Sequence, residues 1–208
     1  MKWIFKGSDK ETEHRFLNFY TLHYEVDDGI SRKDYSYFLA SRNEKKEDLR
    51  IVRGDFQRPD AVLIGVYRLD PKKGLMLLLE RQFRPSLNRD VISFPAGLMD
   101  PEDKSETETA KRECREETGF EIGNVQLIVP PSPTSEGLSD ECNSVVIAEA
   151  ISSGNSNKEE FEDISAKFYT EEEVLSMLSD PSLLFSNSAR LLILLLLEKY
   201  GSHKDALL

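Results

Sequence analysis

Two apolar runs, AVLIGVYRL at 61–69 and LMLLLERQFR at 75–84, set the tightest limit on what this 208-residue chain can become. Both have strand length, and the DPKKG between them carries a Pro/Gly turn. VISF at 91–94 reads as a further strand, followed by a Gly/Pro/Asp stretch and then a helix. VQLIV and SVVIAEA predict two more strands, joined by the loop PPSPTSEGLSDE. After a polar, acidic loop around 159–162, a helix opens at TEEEV, where Thr170 and Glu173 have capping-box spacing. A last helix runs from about Ser186 to Tyr200 and stops at Gly201. Strands interleaved with helices predict an α/β or α+β sandwich.

Ahead of this pattern, residues 16–24 and 34–40 are rich in Phe, Tyr and Leu, and Asp28-Gly29 between them is a hairpin signal. An amino-terminal β-hairpin is expected, followed by SRNEKKEDLR as a charged, solvated connector.

Composition narrows the class. With 39% hydrophobic and 31% charged residues the chain is globular, and its length suits one domain with a small appendage. A formal charge of −11 argues against a nucleic-acid scaffold, which usually shows a basic footprint. Phosphates remain within reach if divalent cations mediate. Cys114 and Cys142 form no metal-type or redox-type pair and are expected to be reduced, inert thiols. No signal peptide is visible in MKWIFKGSDKETEHRF. The longest apolar run, LLILLLL, is far short of a bilayer span and reads as a buried carboxy-terminal helix. No membrane association is expected, and the cytoplasm is the default compartment.

Within this frame, RECREETGF at 112–120 crowds Glu113, Glu116 and Glu117 into five residues. Ser105 and Glu108 have the spacing of a capping box that starts the helix, and Gly119 is a natural stop. At about 100° per residue the three glutamates share one arc, beside a less polar stripe of Thr107, Ala110 and Cys114. At a partly buried site two charges about 5–6 Å apart repel by about 3 kcal/mol. Cations would offset that, and oxygen donors without nearby His suit Mg2+ or Mn2+ rather than zinc. The spacing alone equally describes solvated helix glutamates paired with Lys111, Arg112 and Arg115. The wider context decides.

That context, GLMDPEDKSETETAKRECREETGF at 97–120, resembles the Nudix box. Arg112-Glu113-Cys114, Glu116-Glu117 and Gly119-Phe120 match its second half. The first half departs: counting from Gly97 the acid falls on Asp103 instead of a glutamate, and eight residues separate it from Arg112. The spacing implies a one-residue insertion before the helix; the family's acid supports the arginine and the loop. RQFRP at 81–85, FPAGLMD at 94–100 and SPTSEGLSDE look like the ADP-ribose and ADP-sugar pyrophosphatase branch.

The resemblance implies an α+β chain with a Nudix-type α/β/α sandwich and mixed sheet at 51–208, preceded by a β-rich segment at 1–50. In that branch such a segment exchanges across a homodimer. It further implies hydrolysis of a nucleoside diphosphate sugar with about two or three Mg2+ (or Mn2+) ions. Glu113, Glu116 and Glu117 would hold metal, joined by the Ala96 carbonyl. Arg84 would hold phosphate, Arg42 phosphate or ribose, and Leu98 would touch substrate. Phe16 and Tyr37 sit where the branch stacks adenine. Gly97, Asp103, Arg112 and Gly119 would keep the box in shape. The general base of the branch is a glutamate on a late loop; among Glu159, Glu160 and Glu162 in NKEEFED, Glu160 is the choice. Rival readings are a GDP-mannose, NADH or nucleoside-triphosphate hydrolase, or a non-catalytic ADP-ribose-binding regulator.

Overall fold

The computed structural model describes residues 1–153 and 163–202. It divides into two compact units, Met1–Asp60 with Pro131–Asn143, and Ala61–Pro130 with Ser144–Leu208.

The first unit holds an antiparallel sheet of β1 (Lys2–Lys10), β2 (Asn18–Asp27) and β3 (Arg32–Ser41) in that order. β2 and β3 are the expected hairpin. Gly29 takes the positive φ of 88° that its turn needs, and the Asp27 and Asp28 carboxylates accept turn N–H groups from Gly29, Ile30 and Ser31. The sequence reading missed β1, because an edge strand carries charge and its few apolar residues do not alternate cleanly. Trp3 and Phe5 there pack on the ring of Tyr24, and the register slips by one residue between Phe5 and Gly7. The charged connector also departs from expectation. It forms a 3-10 turn at Lys46–Asp48 and a short helix α1 (Arg50–Arg53), and Leu49 between them is wholly buried with Tyr20, Leu22 and Leu39.

The second unit is built on β4 (Ala61–Asp70), β5 (Gly74–Arg84), β6 (Arg89–Ser93) and β7 (Ala96–Leu98). Then come α2 (Glu106–Thr118), β8 (Phe120–Pro133), β9 (Cys142–Ser153), β10 (Ile164–Thr170), α3 (Glu171–Ser179) and α4 (Asn187–Tyr200). The mixed sheet runs β10-β5-β4-β9-β8, with β6 on β5 and β7 on β4. β4 and β5 are apolar on both faces because both faces are covered. Leu63, Leu75, Leu77 and Leu79 point into a core closed by Val174 of α3 and by Ala189, Leu192, Ile193, Leu196 and Leu197 of α4. The alternate residues Val62, Ile64, Val66 and Leu78 meet Ala110 and Cys114 of α2. The result is a helix layer on each side of the sheet. α3 starts at Thr170 with both capping-box bonds made, and within the LLILLLL run Leu192, Ile193, Leu196 and Leu197 form the buried seam of α4 while Leu191 and Leu195 are exposed. Among the described residues no helix is long and apolar enough to cross a membrane. β7 and β10 escaped the sequence reading: one is three residues long and broken by glycine, the other lies at the end of the strand order and is interrupted by Lys167.

Candidate active site

α2 presents the acidic triplet. Its N-cap Ser105 accepts the Glu108 N–H, but the reciprocal bond differs from a strict capping box: the Glu108 carboxylate accepts from Lys104 N–H at 2.9 Å. Gly119 closes the helix in the left-handed region at φ 74°. The buried stripe is Thr109, Ala110, Cys114 and Glu117, so Thr109 takes the place expected of Thr107 and one glutamate lies in the seam itself.

The second wall comes from β7, held by its pairing of Ala96 with Leu63 of β4. Ala96 N–H donates to Glu117 Oε2 at 3.1 Å. At Gly97 the approach is closer still: a Cβ built there would fall on the Glu113 carboxyl group, so only glycine leaves that carboxylate its place. The Leu98 carbonyl accepts from Arg112 Nη2 at 2.9 Å.

Arg112 is the hub. Its Nη2 also reaches Asp103 Oδ2 at 2.8 Å and lies 3.4 Å from Asp100, while Nη1 bridges Glu113 Oε1 at 2.8 Å and Glu116 Oε2 at 3.1 Å. Asp103 in turn accepts from Thr109 Oγ1 at 3.0 Å and from Asp100 N–H at 3.0 Å. A tight turn at 101–102 precedes the helix, and the Asp103 side chain meets the arginine despite the longer spacing. The electrostatics follow this geometry. The Arg112 hydrogen bond holds the Asp103 carboxyl below its ordinary range. Asp103 first, then the glutamates, hold the Arg112 guanidinium above its own. Burial pushes Glu113 up; Arg112 opposes that, while the neighbouring charges of Glu116 and Asp100 reinforce it.

Asp100, Arg112, the three glutamates and β7 line one cleft of about 540 Å³ with Gln82 and Arg84 of β5. Gln82 and Arg84 are two apart on a strand and so share a face. Arg84 is exposed and makes no side-chain hydrogen bond or ion pair among the described residues. Of the expected site residues, the cleft brings together Arg84, Ala96, Gly97, Leu98, Arg112, Glu113, Glu116 and Glu117. Phe16, Tyr37 and Arg42 belong to the first unit. Phe16 is exposed beneath the Arg15 guanidinium, Tyr37 donates to the Gly137 carbonyl at 2.8 Å, and Arg42 pairs with Glu141 at 3.1 Å. Tyr37 lines an apolar cavity of about 450 Å³ with Trp3, Tyr24 and Phe56; Phe16 is not in its lining. Glu159, Glu160 and Glu162 lie outside the described residues.

A NUDIX domain matches residues 58–187, more than half of the chain and all of this cleft. The chain belongs to the Nudix family. Over 110 residues it is 30% identical to an uncharacterized Nudix hydrolase of Schizosaccharomyces pombe, covering 53% of each chain. Over 76 residues it is 36% identical to an ADP-ribose pyrophosphatase of Bacillus subtilis, covering 36% of this chain and 40% of the relative. The chain thus spans about half the length or less of these two curated relatives. In fold it is similar to a crystal structure of an ADP compounds hydrolase, with a TM-score of 0.67 over 96% of both chains at 18% identity.

Nudix enzymes generally use divalent metal, and the donor set here suits one: three carboxylates and no sulfur or imidazole, with Gly97 making room for the Glu113 carboxyl group. Among the described residues no three such groups stand at coordination spacing. Arg112 Nη1 engages Glu113 and Glu116, and the Ala96 N–H engages Glu117. The donors fit the ion in chemistry; their present arrangement is that of the arginine-bound ridge. The sequence reading passed over Gln82, Asp100 and Thr109. Gln82 was legible from its i, i+2 relation to Arg84, whereas Asp100 and Thr109 depend on how the loop before α2 folds back.

Proposed function

We propose that this Nudix hydrolase cleaves the pyrophosphate bond of ADP-ribose or a related nucleoside diphosphate sugar. Water adds to one phosphorus, the bridging P–O bond breaks, and AMP and a sugar phosphate leave. One observation carries this reading: a single cleft sets three helix carboxylates against Arg84, an arginine unpaired among the described residues, as suits a cation-neutralised diphosphate. The likeness to an ADP-ribose pyrophosphatase supports the substrate class.

Glu113, Glu116 and Glu117, with the Ala96 carbonyl, would hold Mg2+ or Mn2+. When bound, such ions screen the diphosphate charge and acidify water at the site. The chain's own groups do the rest. Arg84 offers a planar donor fork to phosphate oxygens and steadies charge developing on them. The Ala96 N–H aims the Glu117 carboxylate, and Arg112 and Asp103 fix the loop that carries Leu98. Glu160 is assigned as general base. Phe16 and Tyr37 are assigned to adenine and Arg42 to phosphate or ribose, within a homodimer formed through the 1–50 segment in the cytoplasm. The apolar cavity beside Tyr37 favours Tyr37 over Phe16 for the base.

The test is a panel of ADP-ribose, GDP-mannose, NADH and nucleoside triphosphates with Mg2+ or Mn2+, reading released monophosphate, beside light scattering for the dimer. ADP-ribose is expected to turn over fastest. Glu117→Gln is expected to lose about 100-fold or more, the scale for removing a preorganised electrostatic group. Full turnover in Glu160→Gln would remove Glu160 from the mechanism. Preference for triphosphates would overturn the substrate class, and ADP-ribose binding without turnover would make the chain a regulator.

A further inference from the structure

We infer that Arg112 is the resident counter-cation of the acidic ridge, and that a divalent ion enters by displacing one edge of its guanidinium from Glu113 and Glu116. The inference rests on the metal-dependent reading above and goes beyond it by assigning a gate to the metal site. The two edges of Arg112 do different work. Nη2 is tied to the loop through the Leu98 carbonyl and Asp103, at 2.9 and 2.8 Å. Nη1 donates no hydrogen bond to the loop among the described residues and spans Glu113 and Glu116 at 2.8 and 3.1 Å, the oxygens an ion needs.

Two further observations separate a displaceable plug from a permanent brace. The Nε atom is buried and has no hydrogen-bond partner among the described residues, so the guanidinium is not saturated in this position. The Glu116 carboxylate, the longer of the two contacts, also sits on the more open side: its side chain is 37% exposed against 14% for Glu113. An ion arriving from solvent therefore meets the Nη1–Glu116 bond first.

The chemistry makes the plug necessary. An arginine keeps its charge at any working pH, so it balances Glu113 and Glu116 whether or not an ion is present. Glu113 is largely buried and would otherwise face Glu116 with no cation between them. Once an ion supplies that balance, the Nη1 edge becomes a repelled cation held by its Nη2 tether. Metal affinity is then the difference between two cations competing for one pair of carboxylates. By linkage, whatever weakens the arginine's grip on them must tighten the ion's.

The deciding readout is made on the unaltered protein. Mg2+ is titrated into the ligand-free enzyme while the side-chain N–H resonances of Arg112 are followed by 15N–1H NMR, assigned with Arg112→Lys. The Arg112 resonances are expected to move in step with Mg2+ saturation. Resonances that stay fixed while Mg2+ binds would overturn the inference and leave the metal-dependent reading intact. No Mg2+ binding at all would overturn that reading, and this inference with it. In parallel, Mn2+ affinity is measured by EPR in Arg112→Gln. The variant is expected to bind Mn2+ at least about fivefold tighter, the low end of ordinary coupling between sites, and to melt lower when metal-free. A weaker Mn2+ affinity would show a brace instead of a plug.

Discussion

At the scale of single residues, the site depends on two kinds of constraint that the sequence displays very differently. Gly97 is conspicuous as a glycine, but the reason for it, the Glu113 carboxyl group occupying the Cβ position, exists only in the folded chain. Gly97→Ala should force Glu113 out of its niche. Because the displaced atoms are the far end of a flexible side chain, the expected cost is at the low end of the about 1–3 kcal/mol usual for overpacking, together with weakened Mn2+ binding; urea unfolding and EPR check the two parts. Cys114 is the complementary case. Burial, opposed by its bond to Thr118 and reinforced by the charges of Glu80, Glu117 and Glu121, raises its thiol to about 12. The folded chain therefore keeps a proton that the unfolded chain releases near the ordinary value of 9.0. The stability linked to this group is whole below that value and is lost as pH rises through about 12. Urea midpoints should fall over that window and fall less in Cys114→Ala. Iodoacetamide at mildly alkaline pH should leave native Cys114 unmodified.

Elements differ in how much of their placement is local. α2 was legible end to end and α3 at its start, since Ser105, Thr170 and Gly119 act within one turn of where they stand. α4 was legible as apolar, but its burial depends on β4 and β5 beneath it. Leu196 is fully buried in that core, so Leu196→Ala should cost about 2–5 kcal/mol. Ser105→Ala should cost about 0.5–2 kcal/mol. Parallel chemical denaturation compares them, and a Leu196→Ala penalty no larger than that of the cap would contradict the α4 packing described here. β1, β7 and β10 were not legible, because edge and three-residue strands bury too little to impress a pattern on their sequence. Leu49, inside a charged connector, went unseen for a related reason: a lone apolar residue has no periodicity.

For the whole molecule, a formal charge of −11 means that the compact state works against self-repulsion. Raising monovalent salt from about 0.01 to 0.1 M shortens the Debye length from about 30 to about 10 Å and should raise the melting temperature of the metal-free protein. Mg2+ at matched ionic strength should raise it further, because binding to the folded state alone adds to screening. Equal shifts for Na+ and Mg2+ would mean that screening is all there is. Calorimetry distinguishes these outcomes.

The sequence by itself determined the order of the main strands and helices, the start and stop of α2, and the presence of three carboxylates on one of its faces. All of these rest on neighbours within a turn or a strand pair, where spacing alone carries the physics. Only the tertiary structure decided that Glu117 lies in the packing seam, that Asp103 still reaches Arg112 across the extra residue, and that Arg112 holds Glu113 and Glu116. Each of those depends on β7 being pinned to β4 and on the loop after it folding back over α2. Such contacts join residues distant in the chain, and no local pattern records them.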